Sequence, residues 1–476
     1  MMKSILCVLA LGACTSLQTP YRSPADHADI PAHFTYANTA IDTAATASLS
    51  APERGGPWWQ AFGDPQLDRL VDAALRRNND LAAAAIKVRR AQLSVGIAAD
   101  NLLPQFGAGA NLNYDRNLRG ARDSSRGNSV NVSVSYELDL WGRLGSLNDA
   151  ARWEALATEQ DRESAALTLV GATAGLYWQG AYLNQIIALG EQSIAYAERT
   201  LALVRVQYEA GAVSLLELAE ARQNVASQRA AQTQLRQQQM ENGNALAIVF
   251  DRAPERQAVS PAAPDIDSDT TAISPLPQRL SDDPLPAVAP DVPATVLARR
   301  PDLRAAERRL RGALATVDAT RASYYPQFTL TGALGGGSSS LHNVLRNPVA
   351  SLGLGLALPF LNWDQTRLNI AVSRADYEFA VVNFRQSLYR ALSDVENALS
   401  AHEQYAQQGI LLRQRLDAAR QAEHLYEIRY RTGAVALSVF LDAQEKRRNA
   451  EIAMAENRLN ALNNRMTLYQ ALGGAD

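Results

Sequence analysis

Lysine is almost missing from this chain. It occurs only at Lys3, Lys87 and Lys446, and arginine carries the rest of the positive charge. No basic excess results, for the formal net charge is −3 and the sequence pI about 6.1. Without surplus positive charge a run of phosphates cannot be neutralised, which argues against nucleic acid as a partner. The only cysteines, Cys7 and Cys14, lie near the start, so the body of the chain has no disulfide and must be held by packing and association. His27, His33, His342, His402 and His424 share no ligand spacing with one another or with cysteine, so no metal site is expected. Gly335-Gly336-Gly337-Ser338 has no following lysine and makes no phosphate cradle. Gly-x-Ser-x-Gly does not occur, and no Ser/His/Asp set stands out. The expectation is a protein that is not an enzyme and needs no cofactor. Beyond residue 14 no stretch is long and apolar enough for a transmembrane helix.

Residues 1–13 read as a signal peptide: Lys3, an apolar stretch from Ile5, then Leu11-Gly12-Ala13 before Cys14. That ending is similar to a bacterial lipobox, which makes Cys14 the expected lipidation site, bearing fatty acyl chains such as palmitate. Thr15 rather than Asp follows, which under the general sorting rule favours the outer membrane. Residues 14–57 are polar and rich in Ala, Thr and Pro, and read as a lipid anchor followed by an extended segment.

Proline is also absent from two long helical runs, Leu144–Tyr208 and Arg367–Tyr430. A helix over the first would be roughly 100 Å long at 1.5 Å per residue, too long for a compact domain. Its apolar positions (Ile186, Gly190, Ile194, Ala197, Leu201, Val204, Tyr208) step by threes and fours, as in a coiled-coil seam. Each run breaks at a glycine, Gly211 or Gly433, and resumes at Leu215 or Leu437. The first returning helix carries Gln223, Gln228, Gln232, Gln234, Gln237, Gln238 and Gln239, which suits a wall facing water.

Elsewhere the period falls to two. Phe106, Ala108, Ala110, Leu112 and Tyr114 alternate with polar or small residues, as do Val130, Val132, Val134, Tyr136 and Leu138. Two ten-residue strands with one apolar and one polar face predict a transmembrane β-hairpin at about 104–139. A second hairpin, at about 326–360, has Leu on its outward face and Gly and Ala on the other.

The second half restates the first. Asp80 and Asp302, Pro104 and Pro326, Trp141 and Trp363, and Gly211 and Gly433 are each 222 positions apart. One shared offset marks an internal duplication. Residues 58–250 form a first repeat of helices, β-hairpin, long helix and return helix. Residues 251–292 are a Pro/Asp-rich linker, and residues 293–474 are the second repeat. Four strands cannot close a barrel, and open edges cannot stand in lipid, so other copies must complete it.

Several stretches carry a resemblance: Trp58-Trp59 through Gly63-Asp64-Pro65, Glu137-Leu138-Asp139-Leu140-Trp141-Gly142-Arg143, Arg300-Pro301-Asp302-Leu303, Tyr430 through Gln444, and Leu468 through Gly474. In that order they resemble the TolC-like outer-membrane factors, most closely the lipid-anchored OprM/NodT branch of multidrug pumps. The resemblance implies an α+β membrane protein: a homotrimer with a 12-stranded β-barrel, four strands per chain, continued by an antiparallel α-helical coiled-coil tunnel in the periplasm. Its implied partners are outer-membrane lipid, a periplasmic adaptor (membrane fusion) protein and a proton-driven inner-membrane transporter. The implied function is the exit channel of a tripartite efflux system, passively conducting drugs or other toxic small molecules. Exit of metal ions or secreted polypeptide, or a non-conducting lipid-anchored coiled-coil spacer, are the alternatives. Asn362-Trp363-Asp364-Gln365 departs from the family, which usually has a glycine-containing turn there.

In that family the helix turns at the periplasmic end form the gate. Asp442 falls on a carboxylate that rings the constriction in relatives, and Glu220 is its counterpart one repeat earlier. Ser438, with Leu216 as counterpart, stands where relatives often carry a bulky apolar residue. Gly211 and Gly433 mark the tips. Carboxylates converging on a three-fold axis repel each other and attract cations, so they need partners or bound ions.

Overall fold

The computed structural model describes residues 18–24, 31, 34–35, 57–118, 124–254, 275–286 and 294–474. The signal-peptide and lipobox readings, Cys14 included, lie outside the described residues, as does most of the 251–292 linker. In chain order the elements are α1 (Pro65–Arg77), α2 (Asn79–Asp100), β1 (Gln105–Arg116), β2 (Ser124–Leu138), α3 (Arg143–Glu209), α4 (Leu215–Val249), α5 (Pro301–Ala322), β3 (Gln327–Ser338), β4 (Val349–Ala357), α6 (Trp363–Arg431) and α7 (Leu437–Ala471). Single 3-10 turns at Trp58–Phe62, Ala294–Arg299, Leu341–Asn343 and Pro359–Leu361 complete the described elements.

The chain forms two units from interleaved stretches. The first comprises Met1–Asp29, Ala84–Arg162 and Pro301–Leu388, and the second Ile30–Ala83, Glu163–Arg300 and Tyr389–Asp476.

The first unit holds one antiparallel sheet in the order β1-β2-β3-β4. Its register lines up Phe106, Val134, Gly332 and Leu352 across the four strands, and likewise Ala108, Val132, Leu334 and Ala350. The side-chain period is two, so this register puts every apolar set on one face. The opposite face carries Gln105, Ser135, Thr331 and Gly353. The apolar face is bare, with Phe106 80% and Leu352 81% exposed. Among the described residues β1 and β4 have no partner on their outer edges.

The turn from β2 into α3 is built by the residues of Glu137 through Arg143. The Asp139 carboxylate accepts from the Leu144 and Gly145 N–H groups at 3.0 and 2.7 Å, which caps the helix start. Glu137 accepts from Arg143 through both carboxylate oxygens, at 2.7 and 2.9 Å. Trp141 Nε1 donates to the Pro326 carbonyl at 2.8 Å, tying this turn to the entry of β3. The other turn into a long helix differs from expectation: α6 starts at Trp363, four residues before Arg367. Asp364 in its first turn suits the helix dipole, and the Thr366 hydroxyl bonds back to the Asn362 carbonyl.

An N-terminal segment is fastened to α5. The Thr19 N–H and hydroxyl donate to the two oxygens of buried Asp318 at 2.7 and 2.6 Å.

The second unit has its core where α1, α3, α4 and α7 meet. Leu67, Val71, Ala74, Ala174, Tyr177, Leu246, Met466 and Tyr469 are buried there with Trp58 and Trp59. Trp58 stacks on Tyr469 at 5.6 Å. Asp64 caps α1 by accepting from the Gln66 and Leu67 N–H groups, and its second oxygen accepts from the Tyr177 hydroxyl at 2.6 Å. Burial and the Asp64 charge together push the Tyr177 hydroxyl's pKa up. The glutamines of α4 are exposed or half-buried, with one exception. Gln232 is buried and donates to the Ile187 carbonyl at 3.1 Å. It reaches that carbonyl across Gly190, where a Cβ would fall 2.1 Å from Gln232 Oε1.

Candidate functional site at the two helix turns

The turns α3–α4 and α6–α7 are built alike and lie in the second unit. Gly211 and Gly433 both sit at φ +72°, the left-handed conformation that ends a helix without a Cβ clash. In each, the glycine N–H bonds back to a tyrosine carbonyl, Tyr208 or Tyr430, at 2.9 Å. The next N–H closes a longer ring, from Ala212 to Gln207 and from Ala434 to Arg429, at 2.8 Å. The return helices begin differently. Ser214 and Glu217 form a capping box at the start of α4, whereas Ala436 gives α7 no side-chain cap. The hydrogen bond from Ser214 holds the Glu217 carboxyl below the ordinary carboxylate range.

Below the turns, Val204, Leu218, Ala221, Leu437 and Phe440 form a small buried cluster. Phe440 stacks on Tyr430 at 5.6 Å and meets Tyr196 edge-on at 6.3 Å. The Tyr196 hydroxyl donates to Glu427 at 3.2 Å, joining α3 to α6. This packing needs bulk from both hairpins, so the two turns are held as one piece.

The sequence-predicted gate residues stand on the outside of this cluster. Leu216 is 66% exposed, Ser438 and Asp442 are exposed, and Glu220 is half-buried. Asp442 has a counter-charge on its own helix: Lys446 Nζ lies 2.6 Å from its Oδ2. That hydrogen bond raises the Lys446 pKa. The position equivalent to Lys446 in the first hairpin is Asn224, so only Asp442 gains a cation this way.

Sequence reasoning missed a charged cluster beside the turns. Arg447 bonds Glu423 on α6 and lies 2.6 Å from Glu451, which also accepts from Arg420 at 3.1 Å. Glu423, Arg447 and Glu451 line part of a cavity of about 310 Å³ with Arg199, Arg448 and Asn224. Burial raises the Glu423 pKa, and the facing Arg447 opposes it. The one sequence signal was the Arg447/Glu451 spacing of four, which is common on any helix surface. Among the described residues no group of three His, Cys, Asp or Glu could hold a metal ion, and no helix is long and apolar enough to cross a membrane. What the site offers is a set of water-facing carboxylates, hydroxyls and one lysine on the rim of a packed double turn.

A family model described as "Outer membrane efflux protein" matches residues 70–249 and 292–474. The chain is 34% identical over 439 residues, covering 90% of each sequence, to the pyoverdine export outer membrane protein OpmQ of Pseudomonas putida. It is 30% identical over 423 residues, 88% of each, to toxin and drug export protein A of Aggregatibacter actinomycetemcomitans. Among solved structures it is similar to the open state of the Neisseria gonorrhoeae MtrE outer membrane channel, with a TM-score of 0.75 and 27% identity over 97% of this chain and 98% of that one.

Proposed function

This chain belongs to the outer membrane efflux protein family, and on that premise we propose that it is the exit channel of a tripartite efflux system. Three copies join their four-stranded sheets into a twelve-stranded barrel in the outer membrane, continued by a helical tunnel into the periplasm. The observation that supports this most is the sheet itself. Among the described residues its apolar face is exposed and its two outer edges are unpaired, a combination that survives in lipid only when the edges of other copies close it. Solutes cross passively. Relatives named for pyoverdine export and for toxin and drug export support small molecules as the cargo class.

The tips at Gly211 and Gly433 form the periplasmic mouth, where an adaptor protein docks and links the channel to a proton-driven transporter. Asp442 and Glu220 line the closed gate, with Ser438 and Leu216 one turn nearer the tip. Cys14 carries the lipid that anchors the chain to the outer membrane. A cysteine placed at Ala434 or Ala212, cross-linked in living cells, tests the tip assignment. Capture of an adaptor of a proton-driven pump is expected. Capture of an ATP-driven secretion partner would move the cargo to polypeptide, and no periplasmic capture from a membrane-inserted channel would overturn the tip assignment.

A further inference from the structure

The apolar face of the sheet turns basic at the end remote from the helices. β1 follows α2 at Gln105 and β2 leads to α3 after Leu138, so the helices attach at one end of this hairpin. Along β1 the apolar face runs Phe106, Ala108, Ala110, Leu112 and Tyr114, and the next residue on it is Arg116. Along β2 the same face begins with Arg126, paired to Tyr114, and reaches Val130 and Val132. The charged residues of the four strands are Asp115, Arg116, Arg126 and Glu137. Only the two arginines stand on the apolar face, since Asp115 and Glu137 fall on alternate positions.

Arg116 is opposite Ser124 and Arg126 opposite Tyr114, so the arginines stand one diagonal step apart on adjacent strands. Both are exposed, and Arg126 lies over the Tyr114 ring, 5.6 Å from its centroid. Like charges so placed repel each other unless an anion is shared between them. Arg116 lies ten residues beyond Phe106, about 33 Å along a strand. At a tilt of about 40° this spans roughly 25 Å of height, the apolar band of an outer-membrane barrel. The pair therefore falls at the level of lipid head groups, just beyond the hydrocarbon.

The loop from β3 to β4 lies on the same face. A Cβ at Gly336, which pairs with Val130, would fall 2.1 Å from the Val344 carbonyl oxygen, so the loop is folded back onto the sheet. Asn128 secures its start by donating to the Ser338 and Ser339 carbonyls at 3.2 and 3.3 Å. Val344 is buried by this fold, whereas Leu341 and Leu345 are 65% and 77% exposed. Large apolar side chains held out on a lipid-facing surface suit acyl chains.

Given the channel orientation proposed above, on which this step rests, the remote end of the sheet meets the outer leaflet. We propose that Arg116 and Arg126 bind the phosphate groups of a phosphorylated glycolipid there, with Leu341 and Leu345 resting on acyl chains. A phosphate monoester carries close to two negative charges and three acceptor oxygens, so one group can serve both guanidinium groups. A phospholipid diester brings a single charge and matches the pair less well.

The test uses the full chain, purified in maltoside micelles and titrated with lipid A bearing two phosphates, with bound lipid counted by native mass spectrometry. The wild type should bind it about tenfold or more tightly than the same lipid stripped of both phosphates, and more tightly than phosphatidylglycerol. Arg116→Gln with Arg126→Gln should raise the apparent Kd for the phosphorylated form about tenfold or more and leave the stripped form unmoved. A double variant that binds phosphorylated lipid A as the wild type does overturns the site. Equal binding of both forms by the wild type overturns it too, and decides alone if the double variant fails to fold. Phosphatidylglycerol bound as tightly as lipid A overturns the choice of partner. Conductance of the wild type in planar bilayers separates this site from the reading beneath it. If discrete steps accompany any of these negative results, only the lipid site falls. If inserted protein gives no steps, the channel reading falls and the site with it.

Discussion

Arg229 on α4 holds Glu198 on α3 at 2.6 Å, and 222 positions further on Glu451 on α7 holds Arg420 on α6 at 3.1 Å: the same bond with its charges exchanged. A second tie is repeated without change. Asn242 donates to the Leu176 carbonyl at 3.1 Å, and Asn464 to the Ala398 carbonyl at 2.9 Å. The duplicated hairpins therefore keep the geometry of their cross-links and leave polarity free. Exchanging the first pair, Glu198→Arg with Arg229→Glu, should leave thermal stability unchanged within error. Each single reversal should cost up to about 1 kcal/mol, because both side chains are about half exposed or more. A double-mutant cycle by urea unfolding measures the coupling.

Glu451 should matter more than Glu198, since it is well covered and shared between Arg420 and Arg447. Glu451→Ala leaves two guanidinium groups without their common acceptor, and a loss of about 2 kcal/mol is expected. Thermal melting of the two variants side by side checks the ranking.

Tyr177→Phe removes the hydroxyl that meets the Asp64 cap and leaves a carboxylate oxygen short of a donor. A loss of about 2 kcal/mol should follow, in the range for hydrogen bonds to charged groups. Asp64→Ala in the same background should then cost less than it does in the wild type.

Gly190→Ala forces Gln232 from its bond to the Ile187 carbonyl, since the added methyl would overlap its side chain. Overpacking of this kind costs about 1–3 kcal/mol. Shortening the neighbour with Gln232→Ala should recover part of the loss, and equilibrium unfolding of the pair tests it.

The two tips should differ in their response to acid. The Glu217 carboxyl is held below its ordinary value of 4.5, chiefly by the bond from Ser214. Its contribution is therefore fully present above about pH 4.5 and fades as pH falls through the lowered value. Hydrogen exchange at the α4 start should quicken on acidification, and the α7 start, which lacks the box, should change less. Ser214→Ala should remove the difference at a cost of about 1 kcal/mol to the helix start.

Much of this architecture was legible in the residues. The two-residue alternation from Phe106 and from Val130 placed the strands, because a sheet with one lipid face admits no other register. Gly211 and Gly433 marked both turns, since only glycine enters the left-handed region freely. Gln232 was not legible as a buried residue. Its environment is made by Gly190, which is distant in sequence and adjacent only once the helices pair. The earlier start of α6 at Trp363 was missed because its first turn has no apolar period, only a favourable Asp364. At the tips the family resemblance pointed to Asp442, Glu220, Ser438 and Leu216 as gate positions; of these Asp442, Ser438 and Leu216 are exposed and Glu220 is half-buried. The Lys446 partner stood four residues from Asp442, a spacing that is plain in sequence but acquires meaning only beside a carboxylate proposed for the gate.

The conducting pore itself is tested most directly in planar bilayers. Purified full-length chain should give discrete, small conductance steps blocked by multivalent cations. Asp442→Ala should raise the conductance and weaken the block, whereas Lys446→Ala should strengthen the block several-fold by baring the carboxylates. Absence of any steps from protein shown to be inserted and oligomeric would contradict the channel. Steps that are unaltered in size and block by Asp442→Ala would contradict its place in the gate.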